Sequence, residues 1–192
     1  MSLPISIFDE VLRLKYKGVL DFEGLYKLIR KWFNERGYDY MEPKYKDKAA
    51  GPFGNEVELK MQGEKKVTDF IKYHVQIEII MIELKEFDAK IDGHVKKVTN
   101  GRIFIDIAKV ECEFDWQNRF QPAKKPDSDD LFSVISYNFK EYTSGPRLLK
   151  LLVTKLLKRY YEIKYLGPLE AEALDLHEKI KKHMGHTTTE LQ

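Results

Sequence analysis

The stretch from Val67 to Trp116 carries the clearest pattern in the chain. Ile71, Tyr73, Val75, Ile77, Ile79 and Met81 alternate with residues such as Lys72, His74, Gln76 and Glu78. Period-two alternation puts one set of side chains on a buried face and the other in water, as in an antiparallel sheet covered on one side. Asp92-Gly93 and Asn100-Gly101 follow, both dipeptides that accept the positive φ of a tight hairpin turn. Ile103, Ile105 and Ile107 then restore the alternation, and Val110, Cys112, Phe114 and Trp116 continue it in the opposite parity. The outgoing strand changes parity too, between Ile79 and Ile80, so that Ile80, Ile82 and Leu84 fall on the other face. A change of face in both partners predicts a β-bulge and a strongly curved sheet.

The flanking segments supply the other elements. Leu12, Leu14 and Tyr16 alternate with Arg13, Lys15 and Lys17, a first strand ending at Gly18. Asp21 is placed to cap a helix whose stripe is Phe22, Leu25, Leu28, Ile29, Trp32 and Phe33, with Gly37 at its end. Tyr38 to Lys48, with Pro43, reads as an edge strand, Ala49 to Asn55 as a loop, and Val57, Leu59 and Met61 as a half-buried strand that turns at Gly63 to Lys66. Gln117 to Asp130 reads as an exposed connection, and Leu131 to Tyr142 fits strand and helix equally. Gly145-Pro146 opens an amphipathic helix from Arg147 to Lys164, Gly167-Pro168 breaks it, and a second helix runs from Leu169 to Met184. Residues 1–166 thus read as one α+β domain and residues 167–192 as a helical arm with a fraying tail.

Composition narrows the class of function. With 33 Lys and Arg against 31 Asp and Glu in 192 residues, the net charge of +2 gives no global field for nucleic acid. Cys112 is the only cysteine and lies in the apolar parity of its strand, so it reads as a small buried hydrophobe in a reducing, cytoplasmic setting. The first residues lack the basic and apolar regions of a signal peptide, and no apolar tract approaches the roughly 20 residues of a membrane span.

No nucleotide-binding glycine loop, nucleophile elbow or zinc-protease helix occurs. His177, His183 and His186 gather near the C-terminus without further ligands, and Glu111, Glu113 and Asp115 line one strand face beside Lys109, so no metal or other cofactor is expected. His74, Glu78, Arg102 and Asp106 share the polar parity of two strands that should pair; brought together they would suit acid-base chemistry, and kept apart they are cross-strand ion pairs. Lys155, Lys158 and Arg159 make the Arg147 to Lys164 helix basic as well as amphipathic, a form suited either to an anionic membrane surface or to a lid over the sheet. The lid reading is preferred, because an uncovered sheet and helix would both expose apolar patches.

The segments Trp32-Phe33-Asn34-Glu35-Arg36-Gly37-Tyr38, Val57-Glu58-Leu59-Lys60, Lys66-Val67-Thr68-Asp69 and Glu113-Phe114-Asp115-Trp116 resemble those of uncharacterised archaeal α+β proteins, over roughly residues 20 to 120. That resemblance implies a scaffold and carries no activity. The expected architecture is a curved, mostly antiparallel meander packed on one face by an N-terminal and a long C-terminal helix, similar in outline to helix-grip and START-like folds. By that analogy Tyr73, Ile77, Met81, Ile105, Leu152 and Leu156 would line an apolar pocket. The leading expectation is a non-enzymatic binding module for an apolar small molecule or a protein partner. A homodimer through the C-terminal arm, a membrane-surface role and a small enzyme built on the His74 group stand as alternatives.

Overall fold

The computed structural model describes residues 2–51, 54–68, 71–91, 94–115 and 158–185. Two strands, β1 (Ser2–Ser6) and β2 (Leu12–Leu20), precede helix α1 (Phe22–Glu35). Four strands follow: β3 (Asp39–Gly51), β4 (Gly54–Lys66), β5 (Ile71–Ile91) and β6 (His94–Asp115). The chain is described again from α2 (Lys158–Tyr161), which passes through a π-helical segment, Glu162–Leu166, into α3 (Gly167–His183). All pairings are antiparallel, in the order β3-β4-β5-β6, and β6 carries both β1 and β2 on its far side. The result is the expected α+β architecture, a curved open sheet of six strands with helices against one face. No helix among the described residues is long and apolar enough to cross a membrane.

Helix α1 starts where Asp21 accepts a hydrogen bond from the Gly24 amide at 2.8 Å, a cap worth about 1 kcal/mol, and ends at Gly37 with φ +72°. Its buried residues are Leu25, Ile29, Trp32 and Phe33. They face Leu59, Met61, Val75, Ile77, Ile105 and Ile107 in one continuous core. Burial of each large side chain contributes about 1.5 to 3 kcal/mol. Ile77 and Ile105 are both fully buried on this face, as their alternation requires.

Three turn expectations are corrected. Gly63 lies inside β4 and not in a turn: the Phe33 ring rests on it, and a Cβ there would be 2.4 Å from that ring. Asn100-Gly101 lies inside β6, where a Cβ on Gly101 would be 2.8 Å from the Ile82 carbonyl oxygen. The expected loop from Ala49 to Asn55 is instead the closing end of the β3–β4 hairpin, with Gly51 paired to Gly54. Glycine at these places serves close approach and pairing as well as bending.

The register shift in β6 falls at Ala108, between Ile107 and Lys109, as the parity change predicts. In β5 it comes later than expected. Met81 is still buried, and the shift spans Glu83 and Leu84, with Glu83 at φ +59°. Ile80 keeps the outward parity and is 41% exposed.

The largest correction concerns the C-terminal helix. Gly167-Pro168 does not break it. The Gly167 amide reaches back to the Glu162 carbonyl, and the wider π turn accommodates a proline that lacks an N–H and would crowd an α-helical carbonyl. Leu169, Ala173, Leu176 and Ile180 are fully buried and belong to the same core as the sheet, so α3 is an integral layer and not an arm. Residues 116–157, which include most of the expected basic helix and the ambiguous Leu131 to Tyr142 segment, lie outside the described residues.

Candidate functional site

The polar set His74, Glu78, Arg102 and Asp106 does not converge. His74 pairs in register with Glu111, Glu78 with Asp106, and Arg102 with Ile82, so His74 and Glu78 are separated along β5 by roughly 13 Å. Each finds its own polar partner. Arg13 forks onto Asp106 at 2.8 and 2.7 Å, Lys60 reaches Glu78 at 3.2 Å, and Arg102 reaches Glu83 at 3.0 Å. The His74 Nε2 lies 2.8 Å from Glu113, and its Nδ1 lies 3.5 Å from Glu64. Glu111 is held by Lys109 at 2.7 Å. Among the described residues this is a ladder of separate cross-strand pairs along one sheet face, in which the four groups do not act on a common point.

Other reactive groups are similarly engaged. Burial pushes the Cys112 thiol up to about 12, so the thiolate is absent at neutral pH. His183 Nε2 lies 3.0 Å from the Asp21 carbonyl oxygen and joins the end of α3 to the start of α1. Burial, aided by Lys181, lowers the His177 pKa. No group of three or more His, Cys, Asp or Glu among the described residues could hold a metal ion.

Of the expected pocket lining, Tyr73, Ile77, Met81 and Ile105 share the helix-facing side and are each 3% exposed or less. Tyr73 donates its hydroxyl to the Tyr165 carbonyl at 2.7 Å, which ties β5 to the π segment. Leu152, Leu156 and Lys155 lie outside the described residues, as does the side chain of Lys158, and Arg159 is exposed.

A polar clasp that sequence reasoning missed secures α3. Asp175 accepts from the Trp32 indole at 3.0 Å, from Arg36, and from Lys179 at 3.0 Å. Partial burial alone would raise this carboxyl, but the Arg36, Lys179 and Trp32 hydrogen bonds outweigh it and hold it at about 2. One turn earlier, Glu172 accepts from the Tyr38 hydroxyl at 2.6 Å and from Lys65 at 3.0 Å. Trp32 stacks on Tyr38 at 5.6 Å, and Arg36 lies over the Trp32 ring at 5.0 Å. The only signal in the sequence was the acidic start of α3, which fits a helix dipole as well as it fits partners on α1 and β4.

The face of the sheet away from α1 and α3 has its own organisation. One register row reads Lys15, Phe104, Ile80, Glu58, Lys46, and the next begins Lys17, Arg102, Ile82. Ile80, Ile82 and Phe104 therefore form an apolar island at the middle of the sheet. A hollow of about 200 Å³ lined by Lys44, Glu58, Lys60, Glu78 and Ile80 adjoins it. Lys15, Lys17 and Lys46 are exposed and make no ion pair with any described residue, whereas Lys44 and Lys48 both reach Glu58, at 2.5 and 3.2 Å, and together lower its pKa. No family model, curated protein or solved structure matches the chain.

Proposed function

We propose that this chain is a non-catalytic binding module that receives a segment of a partner protein on the outer face of its sheet. The observation that carries the reading is Ile80. It is 41% exposed between Ile79 and Met81, which are 2% exposed or less, at the centre of the sheet, where a polar residue would satisfy the same strand parity. Together with Ile82 and Phe104 it gives an apolar island rimmed by charge, the surface form of a docking site. The separate pairing of His74, Glu78, Arg102 and Asp106 with different partners supports binding over catalysis. An apolar small molecule between sheet and helices ranks second, because Tyr73, Ile77, Met81 and Ile105 already pack against one another and the helices.

Native mass spectrometry after affinity capture tests the reading, comparing the natural chain with an Ile80→Lys/Phe104→Ser variant of equal melting temperature. The expected result is a polypeptide retained by the first and lost by the second. A small molecule retained equally by both would contradict it.

A further inference from the structure

Resting on that docking reading, we infer that the corner formed by Lys15, Lys17 and Arg102 is a carboxylate-binding subsite, occupied in the free chain by Glu83. Lys17 is the direct cross-strand partner of Arg102, and Lys15 lies two residues along the same face of β2. Like charges placed opposite each other across strands destabilise a sheet. Among the described residues, Glu83 supplies the carboxylate at this corner, through its 3.0 Å contact with Arg102, and Lys15 and Lys17 form no ion pair. Among the described residues, Arg102 is thus the one of these three cations with a carboxylate in contact.

The backbone marks the same place. Glu83 is the one non-glycine residue at positive φ among the described residues, in the two-residue bulge between Ile82 and Lys85. An L-residue in that conformation is held there by its surroundings, and such strain gathers at binding and switching positions. The bulge aims the Glu83 carboxylate at the Arg102 side chain, which the same sheet presents beside Ile82 and next to Phe104.

The neighbours specify the occupant. Phe104, Ile80 and Ile82 offer an apolar seat within one or two strand spacings of the cations, which suits a peptide segment with an Asp or Glu beside an apolar side chain. Nucleic acid fits less well, since a run of phosphates crossing the sheet would meet Asp106, Glu78 and Glu58 on the same face. On binding, the partner's carboxylate replaces that of Glu83 on Arg102 and gains Lys15 and Lys17.

The probe is a random peptide display library panned against the full chain, followed by titration of the enriched peptides as synthetic acids and as their Asn/Gln counterparts. The subsite predicts enrichment of Asp or Glu beside apolar residues and binding that weakens with salt. It also predicts an affinity about fivefold or more lower in Lys15→Gln/Lys17→Gln. Glu83→Gln should raise affinity, which a merely structural Glu83 would not do. Peptides that need Ile80 and Phe104 but ignore Lys15, Lys17 and Glu83 would overturn the subsite and leave the docking face standing. Peptides indifferent to Ile80→Lys/Phe104→Ser, or no enrichment at all, would overturn both. Tighter, Lys17-dependent binding of a single-stranded RNA oligonucleotide would replace the occupant.

Discussion

The indole N–H of Trp32 donates to the Asp175 carboxylate at 3.0 Å across 143 residues of sequence, joining the last turn of α1 to the middle of α3. Around that bond α3 buries Leu169, Leu176 and Ile180, and the Met184 that follows it is buried with them, all 5% exposed or less. At about 2 kcal/mol for each large apolar side chain, this burial approaches the whole stability of a typical domain, about 5 to 15 kcal/mol. Truncation after Leu166 should therefore abolish the cooperative circular-dichroism melt. A truncated chain that melts cooperatively near the full-length temperature would return α3 to the status of an arm.

Asp175 gives this clasp a pH dependence of defined sign. Its carboxyl titrates at about 2 when folded against an ordinary 3.8, so the stability it contributes is complete above that ordinary value and is lost as pH falls through 3.8 toward 2. Because the side chain is 38% exposed, solvent screening reduces the contribution to about 1 kcal/mol. Asp175→Asn should lower stability near neutral pH by about that much, and the difference from the natural chain should vanish in acid. Denaturant titrations at several pH values measure this directly, and a difference that grows in acid would contradict it.

Gly63→Ala should destabilise by about 1 to 3 kcal/mol, because a Cβ at that site would lie 2.4 Å from the Phe33 ring and one of the two must move. Equal melting temperatures for the two chains would show that the Phe33 seat is loose.

What could be read from the sequence follows from physics of different range. Alternation at Ile71–Met81 and Ile103–Ile107 and the cap at Asp21 are local rules, and they placed the faces of β5 and β6 and the start of α1 correctly. Gly63 and Gly101 misled because their reason is a distant neighbour, the Phe33 ring for one and the Ile82 carbonyl for the other, and a glycine looks the same in sequence whether it bends the chain or admits a neighbour. Gly167-Pro168 misled because a π turn, invisible in composition, lets the helix continue through proline. The candidate His74 group failed on register: parity showed that these side chains share a face, but pairing set His74 opposite Glu111, four residues along β5 from Glu78. Conversely Lys17 and Arg102 meet only because β2 docks beside β6, a pairing that no local pattern announces.

Ile77→Asp and Ile105→Asp should each prevent folding, since an unpaired carboxylate in a fully buried position costs several kcal/mol. Ile80→Asp, only three residues further along β5 but outward-facing, should leave the melt within a few degrees of the natural chain. A collapse of the Ile80→Asp variant would mean that the outer face is buried after all.

Isoleucine-methyl NMR of the full chain tests the docking proposal most directly, because Ile80 and Ile82 report on the outer face while Ile77 and Ile105 report on the interior. The sample is titrated separately with the enriched acidic peptides and with lauric acid as an apolar probe. The account predicts saturable shifts at Ile80 and Ile82 with peptide and none at Ile77 or Ile105 with either ligand. Shifts at Ile77 and Ile105 on adding lauric acid, with Ile80 unmoved by peptide, would contradict it and place the ligand between sheet and helices.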